Sequence, residues 1–351
     1  MMEIGIDSFV ATIPDPTTGK TVSPTARMED LLAEVQTADR VGLEVFGIGE
    51  HHRKEFLDSS PAVILAAAAA VTKRIRLTSA VTVLSAADPV RTFQEFATVD
   101  LIAKVRAEIV VGRGSFSEAY PLFGLATQDY DALFAEKLDL LLKLRGEANV
   151  TWSGRFRAPL DGEGVYPRPH QQQIPIWLGV GGTPQSFARA GTLGLPLMVA
   201  IIGGNFQRFR PLVDIYREAG YRAGHSQDAL RVGVHAIGFV GDTERAAKDA
   251  FFPGWAHMFT EIGRERGWSS ATRAQFEAMC SPEGAFLIGD PKSVADKIFA
   301  ANDALGGLAR ITFQMSSAML ETEAMQRSIE LLGTEVAPIV RAATSGEVVH
   351  G

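Results

Sequence analysis

Apolar runs of strand length occur at residues 4–10, 43–48, 75–84, 107–111, 174–180, 196–201, 232–240 and 309–313. Between them the apolar period lengthens. Val90, Phe93, Ala97 and Leu101 are spaced by three and four behind Asp88-Pro89, and Val294 and Ile298 repeat the pattern behind Asp290-Pro291. Each is the apolar face of a helix with a capping residue and a proline at its first position. Strands alternating with helices predict parallel strands joined by helical crossovers, and eight such units close as an α/β fold of the (β/α)8, or TIM-barrel, type. A doubly wound sheet competes, but GVGGTP (179–184) and GRGSFS (112–117) both lack the third glycine of a dinucleotide fingerprint.

Two segments break the repeat. Residues 151–173, rich in Gly, Pro and Arg, predict an inserted hairpin and extended loop before the fifth strand. Residues 263–286, after the seventh strand and its helix, carry glycines, charges and Trp268, and read as a mobile lid over the barrel mouth or as a plain surface excursion. Neither interrupts the pattern enough to divide the chain, so residues 1–351 are expected to form one domain.

Composition narrows the partners. A net charge of −7 with no basic stretch argues against a nucleic-acid binder and leaves small molecules as the expected ligands. The single cysteine, Cys280, excludes a disulfide framework and a thiolate metal cluster, and it reads as a structural thiol. The longest apolar run, residues 62–71, is too short to span a membrane and follows Ser60-Pro61, a helix start, so it predicts a buried helix. The N-terminus opens straight into a strand without signal-peptide character, and the expected location is cytoplasmic.

Candidate chemistry lies where strands end. FGIGEHHRKEF (46–56) places His51 and His52 at the end of the second strand, the rim where such barrels build active sites. The residues alone fit either one packed and one solvated imidazole or a functional pair. Metal binding is disfavoured because neighbours on an extended chain point to opposite faces and no further ligand pattern accompanies them. At the end of the fifth strand Gly181 and Gly182 precede Thr183, a helix cap, and Pro184; free N–H groups there suit a phosphate, although a tight turn alone would need the same residues. Arg113, between two glycines at the end of the neighbouring fourth strand, can aim a charge at the same place. Small residues in the third strand, Ser79, Ala80 and Ala86, leave room for a flat ligand or for a packed helix.

Taken in order, these residues resemble the bacterial luciferase-like family of flavin-dependent monooxygenases. The resemblance runs from GEHHRKEF through RLTSAVTVLSAADPVR and VVGRGSF to VYPRPHQQQIPIWLGVGGTP, LIGDPKSVADKI and RSIELLGTEVAPIVR, nearly the whole chain. It implies a barrel that binds reduced FMN at its C-terminal mouth and forms a flavin hydroperoxide with dioxygen, with a separate flavin reductase as partner, a small organic substrate and a homodimeric state. It also implies catalytic roles for His51 and His52, phosphate binding by Arg113, Gly181, Gly182 and Thr183, and a non-proline cis bond between Ala80 and Val81 behind the flavin ring. Two departures accompany it: Gly112 stands where luciferases carry a cysteine, and QMSSAM (314–319) differs from the family text there, so light emission is not implied. Within the same fold, the alternatives are a hydride-transferring enzyme using the deazaflavin coenzyme and a non-catalytic flavin-binding protein.

Overall fold

The computed structural model of the chain describes residues 1–14, 19–316 and 320–345. Twelve strands are present among them: β1 (Glu3–Ser8), β2 (Val45–Ile48), β3 (Arg76–Ser79), β4 (Thr82–Val83), β5 (Ile109–Gly112), β6 (Asn149–Trp152), β7 (Leu160–Gly164), β8 (Ile176–Val180), β9 (Leu197–Ile201), β10 (Val232–Val240), β11 (Leu287–Gly289) and β12 (Arg310–Gln314). The main sheet runs β3-β2-β1-β12-β10-β9-β8-β5-β4, with every pair parallel. Its first and last members are two halves of one segment, the predicted third strand, interrupted at the cis peptide between Ala80 and Val81. The order therefore closes on itself as the expected (β/α)8 barrel. Leu77 also bridges to Ala107, and the Ser79 hydroxyl donates to the Val110 carbonyl at 2.9 Å, so both halves meet the fourth barrel strand, β5.

The helices begin where the sequence places caps. Asp88 accepts from the Arg91 N–H at the start of the helix Pro89–Ala103, and Asp290 from the Ser293 N–H at the start of Pro291–Leu305. The helix Pro61–Val71 departs from expectation twice. Ser60 makes no side-chain capping bond, and Val63 is 71% exposed, so this apolar helix buries one face against the barrel and leaves the other outside.

The bottom of the barrel is closed by charge as well as by apolar packing. Arg310 is fully buried over the Trp177 ring, 4.3 Å from its centroid, and its guanidinium meets Glu108 at 2.7 Å and Glu3 at 2.7 Å. Burial pushes the Glu108 carboxyl up, but the Arg310 and Arg76 charges outweigh it and hold it below the ordinary carboxylate range. Losing both carboxylates would strand a buried guanidinium.

The insertion before the fifth barrel strand is a hairpin, β6-β7, followed by extended chain with a cis bond at Tyr166-Pro167. The second insertion, expected at 263–286 as a mobile lid or a surface excursion, is partly helical. It holds the last turn of the helix Glu244–Arg266 and a further helix, Arg273–Cys280, started by a capping box between Thr272 and Gln275. Phe276, Cys280 and Phe286 pack with Phe239, Phe251 and Trp255 into an apolar cluster of their own. Burial there pushes the Cys280 thiol up to about 12, which fits its expected structural role. Of QMSSAM, residues 317–319 lie outside the described residues. Among the described residues no helix is long and apolar enough to cross a membrane.

Candidate active site at the barrel mouth

A cavity of about 370 Å³ opens at the C-terminal ends of the strands. Its two ends differ chemically. One, at the ends of β5 and β8, is lined by Arg113, Gly114, Gly181, Gly182 and Thr183; the other, built by β1, β2 and β10, by Asp7, Phe9, His51 and His235. Between them the wall is apolar and low, with Ala80, Val81, Val110, Gly179 and Met198.

At the cationic end the helix Pro184–Thr192 starts behind Thr183. Thr183 does not cap it with its side chain, contrary to the sequence expectation; its Oγ1 instead accepts from Arg113 Nη2 at 3.5 Å. Arg113 lies over the Tyr130 ring, 4.6 Å from its centroid, and pairs with Asp131. A Cβ built at Gly181 or Gly182 would meet nothing within 4 Å, so both glycines border open space. Guanidinium, hydroxyl and the first N–H groups of a helix thus converge on a space that side chains do not fill, as an anion requires.

At the other end the chain leaving β2 carries the adjacent histidines. Asp58, fully buried, accepts from the His51 N–H at 3.1 Å through Oδ1, and its Oδ2 lies 2.8 Å from His51 Nδ1. With Nδ1 committed, Nε2 is the ring nitrogen left for the cavity. Burial pushes the Asp58 carboxyl up, and the bond to His51 only partly opposes it. His52, the next residue, is not on the cavity wall. Its Nε2 lies 3.2 Å from Glu50 Oε1 and its ring stands edge-on to Phe123, because successive side chains of an extended segment alternate in direction. Glu50, which lines the cavity, also accepts from the Val83 N–H at 2.8 Å.

The sequence reading missed three residues of this end: Asp7, Phe9 and His235. His235 Nδ1 lies 2.6 Å from Asp7 Oδ2, the oxygen to which Thr312 also donates. Phe9 stands between the two imidazoles, its centroid 4.5 Å from that of His51 and 5.7 Å from that of His235. A signal was available, since Asp7 and His235 are the one ionisable residue in each of the apolar runs IGIDSF and VGVHAIGFV. Of the small residues in the third strand, Ala80 lines the cavity, Ser79 bonds to β5 and Ala86 lies outside the lining.

Gly112 also finds its reason here. A Cβ at position 112 would stand 2.6 Å from Val81 Cγ2, and one at Gly179 would stand 2.7 Å from Val81 Cγ1. The Val81 side chain fills the place that a cysteine at 112 would enter.

Residues 2–307 match the family model described as luciferase-like monooxygenase. Among curated proteins, the chain is 25% identical over 326 residues to 4-hydroxyprotoasukamycin monooxygenase of Streptomyces nodosus subsp. asukaensis, covering 88% of this chain and 85% of that one. It is 23% identical over 345 residues to 3,6-diketocamphane 1,6-monooxygenase of Pseudomonas putida, covering 86% and 90%. Among solved structures, monooxygenase RslO1 of Streptomyces bottropensis superposes with a TM-score of 0.81 at 22% identity over 96% of this chain and 99% of that one. The oxygenating constituent of 3,6-diketocamphane monooxygenase from Pseudomonas putida, solved in complex with FMN, gives 0.76 at 21% over 96% and 98%. An F420-dependent secondary alcohol dehydrogenase gives 0.75 at 18% over 97% and 99%. The chain belongs to the luciferase-like monooxygenase family.

Proposed function

We propose that this protein is a monooxygenase that uses reduced FMN and dioxygen to oxygenate a small organic substrate. The observation that carries the reading is the two-ended cavity, with an anion site at Arg113, Gly181, Gly182 and Thr183 and a carboxylate-held imidazole, His51, at the far side of an apolar wall. Those residues fit the cofactor: the anion end suits its terminal phosphate, and the strip from Ala80 and Val81 to Gly179 offers a flat ring a wall without projecting groups. When bound, reduced flavin supplies the electrons that activate dioxygen.

The chain's own residues do the rest. Arg113 and the amides behind Gly182 orient the phosphate and so set the ring's place along the wall. His51, held by Asp58, gives or takes a proton at Nε2 beside the reacting atoms. His52 supports the site from behind, through Glu50. No dinucleotide fingerprint is present in the sequence, so reducing equivalents are expected from a separate flavin reductase.

The test is anaerobic calorimetry with reduced FMN and riboflavin. Charge-assisted hydrogen bonds contribute about 1.5–3 kcal/mol each, so FMN should bind tighter by on the order of 10-fold or more. Arg113→Ala should weaken FMN and leave riboflavin unchanged. Equal affinity of the unaltered protein for both would remove the phosphate site and the reading with it.

The TM-score of 0.75 to an F420-dependent dehydrogenase supports a second reading, hydride transfer with a deazaflavin. Incorporation of an oxygen atom from labelled dioxygen into the product separates the two, since a hydride-transferring enzyme transfers no oxygen; uptake alone does not, because free reduced FMN consumes oxygen unaided.

A further inference from the structure

The structure holds two histidine–carboxylate pairs on one cavity wall, and the mechanism above uses only His51. The other is built with equal care. Asp7 and Gly47 are opposite each other in the β1-β2 register, and a Cβ at Gly47 would stand 2.1 Å from Asp7 Oδ1. The glycine is what lets this carboxylate lie there. Asp7 Oδ2 is approached by the His235 ring and by the Thr312 hydroxyl, so it accepts from both, and the matching His235 tautomer carries its proton at Nδ1. His235 Nε2 then presents a lone pair to the cavity.

We propose that His235, oriented by Asp7, is a second base of this site and takes the proton of a phenolic or enolic hydroxyl on a flat, apolar substrate. The proposal rests on the monooxygenase reading and names its substrate class. A lone pair recognises a hydroxyl donor and gives a ketone nothing to accept. Phe9, Met198 and Ala200 beside it supply apolar contact for a ring. In the step, the substrate O–H bond breaks as the N–H bond forms at Nε2, leaving an imidazolium paired with the Asp7 carboxylate and a substrate oxyanion. The oxyanion makes its ring richer in electrons and so a better acceptor of an electrophilic oxygen atom. The other ionisable residues on the described cavity wall are Glu50, His51, Arg113 and Tyr130. Of these His51 is the one other imidazole, and it lies beyond Phe9.

4-Nitrophenol tests this directly, because its phenolate absorbs visible light and its neutral form does not. Titrated into the whole protein, with and without FMN, at a pH where the probe is mostly neutral in water, it should bind as phenolate. 4-Nitroanisole, which has no proton to give, should bind about 10-fold more weakly. His235→Gln should lose the phenolate band and bind the probe about 10-fold more weakly. Asp7→Asn should lose the band too, and it reads the same question if the first variant does not fold. An unchanged band in either folded variant, or equal binding of the anisole, overturns the proposal. Calorimetry of FMN on the same samples keeps the two readings apart: normal FMN affinity without a phenolate band sinks this inference alone, and a phenolate band without FMN binding sinks the flavin reading alone.

Discussion

Asp58 holds His51 at two points, the backbone N–H at 3.1 Å and the ring Nδ1 at 2.8 Å. Gly49 makes the arrangement possible, since a Cβ there would stand 2.5 Å from Asp58 Oδ2 and 2.9 Å from His51 Cε1. Burial pushes the Asp58 carboxyl above its ordinary range and the bond to His51 opposes it, so the pair fixes the ring at Nδ1 and leaves Nε2 for the cavity.

Asp58→Asn keeps the shape but offers an amide N–H toward Nδ1, favouring the tautomer with its proton on Nε2. Oxygenation should fall by on the order of 100-fold, the usual range for a proton-transfer group, while FMN affinity stays within a few-fold. Product formation and hydrogen peroxide release, measured together, check it: electrons should leave as peroxide. Oxygenation near the starting rate in Asp58→Asn would mean that the pair only packs.

Val81 and Gly112 give a prediction about space. Adding the side chain of Gly112→Cys brings a Cβ to 2.6 Å from Val81 Cγ2, and overpacking of this kind costs about 1–3 kcal/mol. The unfolding midpoint should drop, and Val81→Ala in the same chain should restore much of it. Thermal denaturation of the two single variants and the double variant gives the coupling. Additive losses would show that Val81 is not what excludes a side chain at 112.

The barrel was legible because its evidence is periodic. Alternating runs, Asp88-Pro89 and Asp290-Pro291 all report local chain geometry, and the structure bears each of them out. The lining of the candidate site was legible only where a motif sits at a strand end, as with His51, Arg113, Gly181, Gly182 and Thr183. His235 and Asp7 are 228 residues apart, and their pairing depends on barrel closure, which no local window contains. His52 shows the reverse limit: the resemblance gives it a role beside His51, but an extended backbone turns neighbouring side chains apart, and its ring meets Glu50 and Phe123. In the segment 263–286 the glycines, charges and Trp268 suggest a mobile lid or a surface excursion, and the capping box at Thr272 and Gln275 emerges only in the structure. Tertiary burial of Phe276 then stabilises a helix there.

Asp131 competes for Arg113. The pair stands partly in solvent, with the Asp131 side chain 71% exposed, so the carboxylate can turn away when a phosphate arrives. Removing it leaves the guanidinium over Tyr130 without its rival. Since exposed pairs contribute about 0.2–1 kcal/mol, Asp131→Asn should tighten FMN by at most about 5-fold and leave riboflavin as it was. The gain should shrink in high salt, which screens the competing charge. Calorimetric titration at two ionic strengths measures both effects. Weaker FMN binding in Asp131→Asn would instead make Asp131 the group that aims Arg113.

Arg53 ties the mouth together. Its guanidinium meets Glu118 at 2.5 Å and Glu265 at 2.6 Å, and Nε meets Glu55 at 3.2 Å, so one cation joins the loop after β2, the segment after β5 and the last turn of the helix Glu244–Arg266. Arg266 adds a bond of 2.9 Å to the Ser115 carbonyl, and both guanidiniums lie against the Phe116 ring, 4.9 Å and 5.1 Å from its centroid. Glu265 is the member to test, because the others remain when it is changed. Its carboxyl, held below the ordinary range by Arg53, is neutralised without loss of size in Glu265→Gln. Half-exposed pairs contribute little, so global stability should hardly move. Local opening should be easier by about 2–5-fold, seen as faster hydrogen exchange confined to residues 261–272. Adding FMN should slow that exchange in the unaltered chain more than in the variant, if closing the mouth and filling it are linked. Identical exchange in both proteins, with and without FMN, would reduce the Arg53 cluster to surface charge.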